Sequence, residues 1–441
     1  MKRSRCAPEW PGLGADMTTH HILKLKTGET LCVAEMPHME SVSLGVWAGV
    51  GGRHDHAELG GLAHFVEHMI FKGTQRRSAR RLNLDVESAG GSMDAYTSED
   101  HTAFFVRGPA EQFARFADVL LDIYRHSVFQ AGDVTREREV IAEEIAMYKE
   151  QPQQQAEDLL WRTAWPEHPL GRPIAGTEES LRRINSTALR GHAGEWFGRK
   201  NTVISVAGRV EAPQVRAVLE KLLAGGLTAG RAPRTRAFPV SRLRRAPRLA
   251  LEQREIDQVQ IALAFHIPGR CSEHSAALRL LNVLLGENTS SRLWSVLRED
   301  HGLCYDVGSD LTSLHEAGLL HIYAGVDATK LPTALRMLMR ELAKLVEKAV
   351  SARALRNACD YAIGASRMSL EVPASVMTGM AECLLFYGRY ISVDEYHRRL
   401  RGVTPAHIHA LAKRIFRTPN LTAALVGPVP ERSALERMLK V

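Results

Sequence analysis

"FGRKNTVISVAGRV", residues 197–210, has a second copy near the end of the chain, "FRTPNLTAALVGPV" at 416–429. The two align without gaps at Phe197 and Phe416, Asn201 and Asn420, Gly208 and Gly427, and Val210 and Val429. Each reads as a closing strand, an apolar run ended by glycine. A motif that recurs across 441 residues indicates an internal repeat.

What precedes each copy follows a similar order. In the first half, "HILKLKTGETLCVAEM" (21–36) reads as paired strands around Thr27-Gly28, and "SVSLGVWAGV" (41–50) alternates Val42, Leu44, Val46 and Ala48 on one face. Helical spacing predicts helices over 61–72, 78–88, 111–126, 133–150, 153–164 and 180–197, with a strand pair in "SMDAYTSEDHTAFFV" (92–106). The second half starts with strands in "LALEQREIDQVQIALAFHI" (249–267), then helices over 273–300, strands in "CYDVGSDLTSLHEAGLLHIYAGV" (304–326), more helices and the last strand. Runs of strands followed by runs of helices predict an α+β chain of two homologous domains, each a mostly antiparallel sheet with helices packed on one face. The expected divisions are a tail at 1–21, a first domain at 22–228, a linker at 229–248 and a second domain at 249–441.

Composition sets limits on this reading. A chain 45% hydrophobic and 24% charged has enough apolar residues for two real cores. It has no apolar run long enough to cross a membrane, and the opening "MKRSRCAPEWPGLGADM" has charge but no apolar core, so the expected location is the cytoplasm. Because strand-like sequence begins only after Met17, translation could start there or at Met1. Cys6, Cys32, Cys271, Cys304, Cys359 and Cys383 form no C-x-x-C pair, which argues against a redox motif, a zinc ribbon or a disulfide scaffold. From Arg231 to Arg248 the linker holds seven arginines, which raises nucleic-acid binding as a candidate. Three prolines and the absence of Tyr or Trp there favour a solvated linker, so no nucleic-acid partner is expected.

The chemistry is concentrated in "AHFVEHMIFKGT", residues 63–74. On a helix His64 and His68, four apart, can offer two imidazoles to one ion, with Glu67 beside them, a geometry that fits zinc. The competing reading is an exposed polar helix face. Ala63, Phe65, Val66, Met69, Ile70 and Phe71 weigh against it, since histidines on so apolar a helix belong in a cleft where they need partners. In "REREVIAEEIAMYKE", Glu137, Ile141, Glu144 and Tyr148 share one face, so Glu137 and Glu144 both stand available to a cation. Glu139, Glu143 and Glu150 read as surface charge. His54, His56 and His101 read as surface or loop residues rather than ligands.

These motifs, with "DAYTSEDHTAFF", "HPLGRPIAGT" and "SSRLWSVLREDHGLCYDV", resemble the inverzincin metallopeptidases of the pitrilysin and insulysin type, and in size the processing-peptidase subfamily. The resemblance runs from about residue 22 to the C-terminus. It implies a zinc endopeptidase with one Zn2+ per chain, held by His64, His68 and Glu144, with Glu67 as general base and Glu137 orienting a histidine ligand. It also implies that Arg298 and Tyr305 contact substrate near the scissile bond, and that an extended peptide adds to the "GGSMDAYTSEDHTAFF" strand. Asp94 stands where the family usually has Asn, which bears on substrate preference. The second half carries no H-x-x-E-H, so the resemblance makes it a non-catalytic copy. The implied partners are peptides and a second chain, in a homodimer or a heterodimer with a related chain. A non-catalytic structural subunit of the same fold is the alternative, and it predicts broken ligand positions where this sequence keeps all of them.

Overall fold

The computed structural model describes residues 18–232 and 247–441. The tail residues 1–17 and linker residues 233–246 lie outside the described residues. The first half contributes strands β1 (Thr19–Lys24), β2 (Thr30–Glu35), β3 (Ser41–Ala48), β4 (Ser92–Thr97), β5 (Thr102–Pro109) and β6 (Thr202–Gly208). Its helices are α1 (Leu62–Ile70), α2 (Ala79–Glu87), α3 (Phe113–His126), α4 (Ala131–Glu150), α5 (Pro152–Ala164), α6 (Glu178–Arg183), α7 (Ser186–Trp196) and α8 (Ala212–Leu222). The second half contributes β7 (Arg248–Gln253), β8 (Gln258–Pro268), β9 (Cys304–Ser313), β10 (Ala317–Asp327) and β11 (Leu421–Gly427). Its helices are α9 (Ser275–Leu285), α10 (Leu331–Glu347), α11 (Ala352–Ser369), α12 (Pro373–Tyr387), α13 (Val393–Arg401), α14 (Pro405–Ile415) and α15 (Arg432–Met438).

The two sheets share one plan. The first runs β1-β2-β6-β3-β5-β4 and the second β7-β11-β8-β10-β9, so every strand after β1 has a counterpart. Only the β2/β6 and β7/β11 pairs are parallel. The recurring motif supplies the central strands β6 and β11, buried along their whole length between two neighbours. Its matched residues do matched work. Asn201 Nδ2 donates to the Trp196 carbonyl (3.1 Å) and Asn420 Nδ2 to the Ile415 carbonyl (2.9 Å), each tying its strand to the end of the preceding helix. Gly208 and Gly427 take φ of +137° and +132°, and a Cβ there would lie 2.2 Å from the Ser41 carbonyl oxygen and 2.5 Å from that of Gln258, so only glycine fits.

The helices of each half cover one face of their own sheet, and the opposite face receives one helix from the other half. Val376, Met377, Met380, Ala381 and Leu384 of α12 pack on Cys32, Ala34, Trp47, Ala103 and Ala207 of the first sheet. Ala156, Leu160 and Ala164 of α5 pack on Ala262, Ala264, Ala424 and Val426 of the second. Small residues on both receiving faces let the helices come close; Ser205 Oγ donates to the Met377 carbonyl (2.7 Å).

One predicted helix, 180–197, is divided. Asn185 accepts hydrogen bonds from the Thr187 and Ala188 amides, an N-cap that separates α6 from α7. The helices expected over 273–300 are α9, which ends at Leu285 where Gly286 lies against β9 and a Cβ would sit 2.5 Å from the Ser309 nitrogen, and a π-helical stretch at Trp294–Asp300. Among the described residues no helix is long and apolar enough to cross a membrane.

Candidate metal centre

Helix α1 starts from Gly61, at φ +93°, where a Cβ would meet the Ala175 carbonyl oxygen at 2.6 Å. The buried Asp55 carboxylate accepts from the Gly61 and Ala63 amides (2.9 and 3.1 Å), satisfying donors that the helix start leaves free. Leu62, Phe65, Val66, Met69 and Ile70 anchor the helix in the core of the first half, which turns His64, Glu67 and His68 toward α4 and β4.

Three ligating atoms converge there. His64 Nε2 lies 3.9 Å and His68 Nε2 3.5 Å from Glu144 Oε2. Among the described residues, His64, His68 and Glu144 are the one group of three His, Cys, Asp or Glu side chains that could hold a metal. A tetrahedral zinc with bonds of ~2.1 Å spaces its ligands roughly 3.4 Å apart, so these separations fit such an ion with little movement. Burial pushes His64 down to about 4, with the neighbouring His68 adding to the shift, so at neutral pH its lone pair is free for a metal. The donor set of two nitrogens and one carboxylate is the kind that would hold a zinc with room for a further ligand.

The surrounding residues hold this arrangement. His68 Nδ1 is 3.0 Å from Glu137 Oε1, and the buried Glu137 carboxylate is paired through Oε2 with Lys72 Nζ at 2.5 Å. Tyr148, one turn beyond Glu144, hydrogen-bonds it, which raises the phenol's pKa. Burial raises the Glu67 carboxyl, partly offset by the Thr97 hydroxyl donating to Oε2 at 2.7 Å. Thr97 ends β4, which with β1 is one of the two outer strands of the sheet, so this hydrogen bond links Glu67 to an edge strand. Asp94, exposed on the same strand, accepts from the Ala95 amide (2.8 Å).

His64, Glu67, His68, Glu137 and Glu144 thus meet at one place, on α1 and α4. Arg298 and Tyr305 both lie in the second half, Arg298 in the π-helical stretch Trp294–Asp300 and Tyr305 at the start of β9. The Arg298 guanidinium stacks between the Trp294 and Tyr305 rings (4.0 and 4.9 Å), and Tyr305 is 79% exposed. Glu139, Glu143 and Glu150 are exposed as expected. His54 and His101 do occupy connecting segments, but they are largely buried rather than on the surface: His54 Nδ1 accepts from the Gly51 amide (3.1 Å), and His101 bonds Ser98 and Tyr96. Sequence reading assigned nothing to Lys72, Thr97 or Asp55. Lys72, four residues after His68, was within reach of helical spacing; Thr97 and Asp55 meet α1 only through the fold.

A family model described as Insulinase (Peptidase family M16) matches residues 31–178, and one described as Peptidase M16 inactive domain matches 183–360. The uncharacterized zinc protease YmxG of Bacillus subtilis is 32% identical over 405 residues, 91% of this chain and 97% of that one. An uncharacterized zinc protease of Mycobacterium leprae is 29% identical, covering 95% of this chain and 94% of its own. The crystal structure of a Helicobacter pylori protease superposes with a TM-score of 0.87 at 20% identity, over 93% of this chain and all (100%) of that one, a likeness of fold. With both models matched one after the other along the chain, and with the H-x-x-E-H helix lying inside the first, the chain belongs to peptidase family M16.

Proposed function

We propose that this chain is a zinc-dependent endopeptidase that cuts unfolded or extended peptides. The observation that carries the reading is the convergence of His64, His68 and Glu144, with Glu67 beside them on α1. The names of the relatives from B. subtilis and M. leprae support zinc as the ion. Zinc, when bound, polarises the scissile carbonyl and lowers the pKa of its water. Glu67, held in place by the Thr97 hydroxyl on its Oε2, would accept a proton from the attacking water and pass it to the leaving amine. Glu137 keeps His68 oriented. The free edge of β4 takes the peptide by strand addition, so only chains able to extend are substrates.

The catalytic domain is assigned to residues 22–228, the linker to 229–248 and the non-catalytic domain to 249–441, with strand β1 reaching back to Thr19 and β7 starting at Arg248. Arg298 and Tyr305 serve a substrate bound at the metal centre of a second copy, in a homodimer. Tyr305 is presented outward, with Arg298 stacked on it, which supports that use. The test of the core reading is metal analysis and cleavage of a disordered peptide with and without a chelator. One zinc per chain, lost together with activity in His68→Ala/Glu144→Ala protein, is expected. Stoichiometric zinc undiminished in that double variant would defeat the assignment.

A further inference from the structure

We propose that Lys72 is a positioning residue for the metal centre, acting through Glu137 to hold His68 in its ligating orientation. The inference rests on the zinc reading above. Glu137 has a side chain only 7% exposed and uses both oxygens: Oε1 faces His68 Nδ1 (3.0 Å) and Oε2 faces Lys72 Nζ (2.5 Å). A carboxylate held at both ends cannot turn about its last torsion, so the ring beyond it is fixed, with Nε2 directed at Glu144. Of the two histidines, His68 is the one braced in this way; among the described residues, His64 Nδ1 is buried without a hydrogen-bond partner. The orientation of the pair therefore depends heavily on the His68 arm.

Charge points the same way. Glu67, Glu137 and Glu144 bring three carboxylates to one cleft, and Lys72 supplies the ammonium that contacts one of them. Other cations on α4 are engaged elsewhere: Arg136 pairs with Asp133, Arg138 donates to the Leu181 and Ile184 carbonyls, and Lys149 pairs with Glu178. Lys72 itself lies just past the end of α1, where a cation also suits the helix C-terminus.

The test compares Lys72→Met, which keeps the aliphatic stem, with Lys72→Arg, which keeps the charge, each also in a Glu137→Gln background. Zinc affinity is read by competition with a chromogenic chelator, and folding by the melting temperature of metal-free protein. Lys72→Met is expected to weaken zinc binding by about 10- to 100-fold with little change in the metal-free melting temperature, and Lys72→Arg to restore most of it. In the Glu137→Gln background, Lys72→Met should add almost nothing, because the residue through which it acts is already altered. Zinc binding by Lys72→Met as tight as in the parent, or losses that add fully with Glu137→Gln, would overturn the positioning role while leaving the zinc reading intact. Parent protein that takes up no zinc would overturn both.

Discussion

Arg53 and Glu316 join the two halves of the chain through a forked ion pair, both terminal guanidinium nitrogens meeting the two carboxylate oxygens. Arg53 also donates to Asp100 Oδ1 (2.8 Å), while the His315 amide donates to Asp100 Oδ2 (2.7 Å). Asp100 sits in the turn between β4 and β5, and Glu316 in the turn between β9 and β10. The β4–β5 and β9–β10 hairpins are thus fastened at their tips. With its side chain 3% exposed, Arg53 cannot be replaced by solvent. Arg53→Met strands two carboxylates and should cost about 3–5 kcal/mol. A urea midpoint shift worth less than about 1 kcal/mol would show the pair to be incidental.

Glu67→Gln should keep zinc and fold while losing several orders of magnitude in peptide hydrolysis, since an amide cannot accept the proton of the attacking water. The check is turnover of metal-loaded protein on a disordered peptide. Near-parental turnover would remove Glu67 from the role of base.

Thr97→Val keeps the shape of the residue and removes the hydroxyl that Glu67 accepts from. A hydrogen bond to a carboxylate contributes about 1.5 kcal/mol or more, so kcat should fall roughly tenfold, with zinc content unchanged and KM little altered. A rise in KM with constant kcat would mean that Thr97 serves peptide binding instead.

Acid should destabilise the fold through buried histidines. Burial pushes His54 down to about 4 and His192 to about 3, so both are neutral when folded. In the unfolded chain they charge near pH 6.5, so the stabilisation is full above that pH and is lost as pH falls from about 6.5 toward 4 and 3, at up to about 1.4 kcal/mol per pH unit for each group. Asp55, which burial pushes up to about 7, works in the opposite direction, so the informative comparison is between parent and His192→Leu. The variant's melting temperature should fall less steeply between pH 6.5 and 5; equal slopes would contradict the assignment.

Subunit mixing tests the assembly. Glu67→Gln and Tyr305→Phe proteins, each impaired, should regain activity together if Tyr305 acts on the metal centre of a partner. One heterodimer site then combines an intact zinc centre with an intact tyrosine. Confirmed exchange with activity at the parental average would place both residues in one chain's own site.

The sequence was most readable where spacing equals geometry. The repeat at 197–210 and 416–429 anticipated two like sheets because Asn201, Gly208 and their counterparts make contacts within a few residues or to an adjacent strand. Helical period places His64, Glu67 and His68 on one face and Glu137 and Glu144 on another, and the family resemblance is what implied that the two faces serve one ion. Thr97 on Glu67, Asp55 under α1 and Arg53 against Glu316 were not legible, since each contact depends on how distant segments pack. The close approach of Gly286 to Ser309 was hidden for the same reason, since it depends on a strand that comes later in the chain.

The exchange of α5 and α12 also concerns how the chain is made. On the ribosome the first sheet is complete once residue 208 has emerged, but the face that α12 covers stays wet until residues 373–387 follow. Meanwhile α5 presents an apolar side to a sheet that does not yet exist. Neither half is a finished folding unit, and severing the polypeptide between them leaves two sticky products rather than two soluble ones. Geometrically the protein is a helix-swapped dimer fused into one polypeptide, in which each copy is completed by a piece of the other.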